Sequence, residues 1–145
     1  MAVLMETMPL EHLMSLIEAS VTEAGVYVSD ELIGDTSTAR RHKSARVGRV
    51  STINLNEFRD QEIARVEDVV AVELAFEIQP HDQRASRNDA YEVSRAVRNK
   101  LTDLDDSLMR RNGQTHLDSI DAVEEGWFII TDQYRYRRYE EVGRG

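Results

Sequence analysis

The stretch VVAVELAFEIQP, Val69 to Pro80, decides how the chain is read. Val70, Val72, Leu74, Phe76 and Ile78 fall on one side of an extended chain, and Ala71, Glu73, Ala75 and Glu77 on the other. A side-chain period of two with one apolar row marks a β-strand buried on one face and wetted on the other. Pro80 ends it, because proline brings no N–H to a sheet ladder. Such a strand suits an antiparallel sheet with an apolar layer laid over one face.

Upstream, PLEHLMSLIEASVTEAG places Leu10, Leu13, Met14, Ile17, Val21 and Ala24 at three- and four-residue steps, the pattern of a helix with one apolar face. Pro9 suits its first turn, Glu11 the positive end of its dipole and Gly25 its stop. Val26 to Ile33 reads as a short strand or an extended connection. Residues 34–48 read as a loop rich in Ser, Thr, Gly and Arg, and Val50, Ile53 and Leu55 as a further strand. Glu57 to Asp68 is polar and reads as a connection.

Downstream, HDQRASRN reads as a turn. A second helix follows from Asn88, its cap, with Ala90, Val93, Val97, Leu101 and Leu104 as its apolar stripe. Asn112-Gly113 signals a turn, and Ile120 to Glu124 with Gly126 to Tyr139 supply one or two closing strands. The expected fold is α+β. A mainly antiparallel sheet carries two helices packed on one side, with a long loop after the first helix, all in one domain over residues 1–145.

Composition narrows the function classes. With 41% apolar and 31% charged residues the chain reads as a globular domain, and no apolar run is long enough to span a bilayer. MAVLMETMPLEHL lacks the basic start and apolar stretch of a secretory signal, so a protein made and assembled in a cytoplasm is expected. Without cysteine, thiolate catalysis and zinc–thiolate sites are excluded. No two of His12, His42, His81 and His116 stand at metal-ligand spacing, and no phosphate-binding or hydrolase motif is present. The expectation is a protein that is not an enzyme and uses no cofactor or metal.

Charge is unevenly placed. The net charge is −9, yet Thr36 to Asn56 contains Arg40, Arg41, Lys43, Arg46 and Arg49 with no acid, a window of +5 in a remainder of −14. One reading is a solvated, mobile basic loop over residues 34–49. The other is a contact with a polyanion or an acidic protein surface. The segment has no aromatic residue for stacking on bases, which argues against base-specific recognition.

The C-terminal WFIITDQYRYRRYEE, Trp127 to Glu141, passes from an apolar run into tyrosine and arginine. Tyr134 and Tyr136 share one face, and Arg135, Arg137 and Tyr139 the other. The strand either covers the end of a core or presents the residues enriched in interface centres. On the second reading Tyr134, Arg135, Tyr136, Arg137, Arg138 and Tyr139 meet a neighbouring subunit, opposite acidic residues such as Glu73 and Glu77.

An opening amphipathic helix, a long loop, VEDVVAVELAFEI, NDAYEVSRAVRNKL and a closing GWFIITDQYRYRRYE follow one another here. In that order of elements the chain resembles the tail terminator proteins of long-tailed bacteriophages, the lambda-like minor tail proteins that cap the tail tube. The resemblance implies a structural virion protein of the tail or neck, forming a homo-hexameric ring on the last ring of tail-tube subunits. Such a ring stops tube polymerisation and offers its other face to the head-completion or connector protein. Genomic DNA passes through its bore without sequence recognition, and no membrane is involved. On that reading Arg40, Arg41, Lys43, Arg46 and Arg49 point into the bore or onto the end of the tube. The alternatives are another neck component, a head-closure or tail-completion protein, and a small DNA-binding protein using the basic loop.

Overall fold

A computed structural model describes residues 7–35, 39–55, 63–104 and 109–141. In chain order they form α1 (Leu10–Glu23), β1 (Tyr27–Val28), β2 (Ser44–Asn54), β3 (Ile63–Glu77), α2 (Gln83–Thr102), β4 (Met109–Glu124) and β5 (Trp127–Glu141). The strands make one five-stranded sheet in the order β1-β2-β3-β5-β4. Only the two-residue β1 runs parallel to its neighbour, and the other pairs are antiparallel. This is the expected α+β class.

The spine of the sheet is β3 against β5, paired without interruption from Ile63 opposite Glu141 to Glu77 opposite Trp127. In that register even-numbered residues of both strands share a face. Val70, Val72, Leu74 and Phe76 of β3 therefore stand beside Phe128, Ile130, Tyr134 and Tyr136 of β5, all buried in one cluster. Leu13, Ile17 and Val21 of α1 join the same cluster, as do Ala90, Val97 and Leu101 of α2. Each fully buried aliphatic or aromatic side chain contributes about 1.5–3 kcal/mol through water exclusion.

Three boundaries and one turn differ from the sequence expectation. The loop expected over 34–48 becomes strand from Ser44, and the polar stretch ending at Asp68 is strand from Ile63 onward. Within these strands the polar residues are held by cross-strand partners that a period count does not reveal. The second helix starts at Gln83, so Asn88 lies inside it and is not its cap. Its first turns, QRASR, are polar all round and show no apolar stripe. Asn112-Gly113 falls within β4, where the register slips between Met109 and Gln114. The reversal into β5 is made instead by Glu125 and Gly126, with φ of 43° and 87°. Two successive positive φ values match the twist of the flanking strands in a two-residue hairpin.

The core is not wholly apolar. Arg138 and Asp68, on the helix-facing side of β5 and β3, are 1% and 0% exposed. The guanidinium donates through Nε to Asp68 Oδ2 at 2.5 Å, and through Nη1 to the Met8 carbonyl at 2.7 Å. The Thr52 hydroxyl donates to the other Asp68 oxygen, and Met8 N–H to the Tyr139 carbonyl. One buried pair thus ties β2, β3 and β5 to the segment that leads into α1.

Replacing Asp68 with Ala leaves the buried guanidinium with the half-exposed Glu140, 2.8 Å away, as its remaining carboxylate partner and is expected to cost up to about 3–5 kcal/mol. The double change Asp68→Leu with Arg138→Met is expected to recover most of that loss, measured by urea unfolding. The tyrosines give a second test. Burial pushes the Tyr136 hydroxyl far above its ordinary value, and burial with the Asp132 charge does the same for Tyr134. A phenol raised in the folded state contributes stability that is intact below the unfolded value of about 10 and is lost as pH climbs past it. Two of the five tyrosines should therefore ionise only together with alkaline unfolding, read by ultraviolet absorbance against circular dichroism.

Candidate functional site

The basic segment meets its partners inside the subunit. After β1 the chain crosses the sheet face opposite the helices, where odd-numbered residues of β3 and β5 lie. Arg40 Nη1 donates to Glu73 Oε1 at 2.7 Å, and its Nη2 stands 3.6 Å from Glu124. Arg46, on β2, is buried. Its guanidinium donates to Glu31 at 2.6 Å and to the carbonyls of Asp35 and Leu32 at 2.6 and 3.2 Å. Arg41 is exposed, with its guanidinium 4.0 Å from the centre of the Tyr27 ring. His42 Nδ1 accepts the Glu77 N–H at 2.9 Å.

These groups line a cleft of about 210 Å³ bounded by Tyr27, Glu31, Arg40, Arg41, Arg46 and Glu73. Two of its three cations are matched by carboxylates, so it clamps the segment onto the sheet and offers little free positive charge. Lys43 is half-buried at a φ of 56°, in the turn that starts β2. Arg49 is exposed near the bulge in β2 and touches Thr52 at 3.3 Å. Of the five expected bore or tube cations, Arg41 and Arg49 stand in solvent. Arg40 and Arg46 are spent on acids of their own chain.

The Arg/Tyr strand divides by parity, as its spacing implies. Tyr134, Tyr136 and Arg138 face the core and are 0%, 0% and 1% exposed, so these three expected interface residues are interior ones in this fold. Their parity matches Phe128 and Ile130, which the helices cover. Arg135, Arg137 and Tyr139 lie on the opposite face, partly exposed. Arg137 Nε donates to Glu67 at 3.2 Å, and Arg135 Nε lies 4.0 Å from the same carboxylate. Glu73 is committed to Arg40, whereas Glu77 is exposed at the end of β3.

A polar cluster not singled out by spacing lies where α2 crosses β5 and β4. Asp132, fully buried, accepts from Arg98 at 3.2 Å, is 3.1 Å from His116 Nε2, and accepts from the Ser94 hydroxyl at 3.3 Å. Both the Ser94 hydroxyl and the imidazole are bonded to the carboxylate, an order of groups different from the serine–histidine–carboxylate relay, in which the imidazole takes the hydroxyl proton. The cluster satisfies the buried charge on β5 with groups from two other elements, α2 and β4. Its signal was present in the sequence: Asp132 occupies the buried parity of WFIITDQYRY.

The remaining feature is the sheet margin. β4 is an outer strand of 16 residues, and among the described residues no strand pairs with its outer side. On the other margin β1 covers only Ser44 and Ala45 of β2, and the stretch from Arg49 to Ile53 has no strand beyond it among the described residues. Val50 and Ile53 of β2 are exposed, as are Leu117, Ile120 and Val123 of β4. Open edges carrying apolar side chains are sites where another chain can add a strand. The sequence matches no family model and no curated protein.

The clamp has a measurable consequence. Arg40→Ala leaves the nearly buried Glu73 carboxylate unpaired and is expected to lower stability by about 1–3 kcal/mol. Native-state trypsin cleavage after Arg41 and Lys43 should quicken in parallel, while the unaltered chain resists. An unchanged cleavage rate would mean that the ion pair does not hold the segment down.

Proposed function

We propose that the chain is a structural subunit of a phage tail terminator. It closes into a ring at the head-proximal end of the tail tube, stops tube growth and presents a surface for head–tail joining. The observation that carries this reading is the pair of uncovered sheet margins, β4 on one side and the outer half of β2 on the other. They occur in an α+β fold, the class that the family resemblance implies. A subunit with two different sticky margins associates head to tail, and such contacts make rings when the rotation closes.

Charge arrangement supports an assembly role over a DNA-binding one. Arg40 and Arg46 are neutralised within the subunit, and the chain as a whole is strongly acidic. An acidic subunit repels phosphate, which suits a channel that passes a genome without holding it.

The test is the mass of the particle. Incubated with tail tubes encoded by the same genome, the protein is expected to cap them as an annulus of about six times the 16.6 kDa subunit mass. Negative-stain microscopy and native mass spectrometry of the released caps read this directly. A protein that stays at single-subunit mass, both alone and with tubes, removes the proposal.

A further inference from the structure

We infer that neighbouring subunits join by strand addition, β4 of one copy pairing antiparallel with the Arg49–Ile53 stretch of β2 in the next, so that the sheets run on across the boundary. The inference rests on the ring reading and specifies the surface that makes it. The strand directions favour it. β2 is antiparallel to β3, β3 to β5 and β5 to β4, so β2 and β4 point in opposite senses. Setting β4 beside β2 of a second copy continues the antiparallel alternation, with the helices of both copies on the same side. One such contact satisfies both open margins, whereas β4 paired with its own copy would leave β2 open.

The side chains fit the same arrangement. On the face away from the helices, Ile53 of β2 and Ile120 of β4 are 52% and 61% exposed. Their parity is set by their partners Glu67 and Thr131, both on that face. With Ile53 opposite Ile120, Ser51 falls opposite Ala122 on that face and Thr52 opposite Asp121 on the other. Directly opposed side chains of this kind are the unit of sheet stabilisation.

Charge is complementary too. From Gln114 to Glu124, β4 carries Asp118, Asp121 and Glu124 and no lysine or arginine, whereas the Arg49–Ile53 stretch of β2 carries the exposed Arg49 and no acid. Arg49, exposed on the helix-facing side, comes within two or three residues of Asp121 of the neighbour in that register. The small apolar area at each margin is consistent with an association that salt weakens.

The chain has no cysteine, so introduced thiols report without background. Ile53→Cys is combined in turn with Asp118→Cys, Ile120→Cys and Ala122→Cys, which share a face and sample three registers. Each protein is treated, as the assembled cap, with a short bis-maleimide spanning a direct pair or its diagonal neighbour, about 7–8 Å apart. At least one double variant is expected to give a denaturation-resistant ladder of dimers, trimers and higher multiples, with the single variants giving none. Caps that form normally without a ladder in any double variant would overturn strand addition and leave the ring reading standing. Dimers from Ile120→Cys alone would overturn the head-to-tail sense, since they require β4 to meet β4. Protein that never leaves the single-subunit mass would overturn the ring and the pairing together.

Discussion

The uninterrupted ladder between β3 and β5 is the constraint on which the rest of the molecule depends. Its register puts Phe76 beside Phe128, Leu74 beside Ile130 and Val70 beside Tyr134 on one face. That face is the floor on which both helices bury their apolar stripes. A slip of one residue in β5 would turn Arg135 and Arg137 inward and send Phe128, Ile130, Tyr134 and Tyr136 into solvent, a change no helix could cover. The two central strands hold each other in place through the cost of burying the wrong row.

Polar residues inside this frame are there in matched sets. Asp68 and Arg138 face each other diagonally across the ladder and recruit Thr52 and the Met8 carbonyl. Asp132 gathers Ser94 and Arg98 from α2 and His116 from β4. A buried ion pair seldom adds net stability over an apolar substitute of similar volume, but it strongly penalises any arrangement that separates the partners. In this chain the first set joins the N-terminal segment to the sheet, and the second joins α2 to both β4 and β5. The basic segment after β1 obeys the same logic on the other face. Arg40 and Arg46 are drawn onto Glu73 and Glu31, so much of the +5 window turns out to be internal adhesive.

The backbone edges left without a strand partner among the described residues lie at the margins. Along β4, and along β2 beyond the two-residue β1, strands of opposite direction with apolar side chains at exposed positions keep unused backbone hydrogen-bonding capacity in two places. Those places are complementary in sense and in charge. This asymmetry is the physical content of the assembly proposal. At Asp132, by contrast, Ser94, Arg98 and His116 are all turned onto one buried carboxylate.

The sequence by itself determined the elements whose signal is periodic: α1, the stripe of α2, the heart of β3 and the alternation of β5. It also determined the α+β class that follows from their order. Those signals are local, because burial of one face imposes a fixed spacing on neighbours in the chain. Strand at Ser44–Gly48, at 63–68 and through Asn112-Gly113 was not legible. Those residues are polar or bear a turn signature, and what extends them is hydrogen bonding to strands distant in the chain. Parity separated Tyr134 and Tyr136 from Arg135 and Arg137, but only the packing of the helices decided which row was inside. Likewise Arg40 and Arg46 look like free cations in the sequence, because their partners Glu73 and Glu31 lie 33 and 15 positions away and meet them only when the segment folds across the sheet. Long-range electrostatic matching and the edges left over by sheet order belong to the tertiary structure, since both depend on which strands become neighbours.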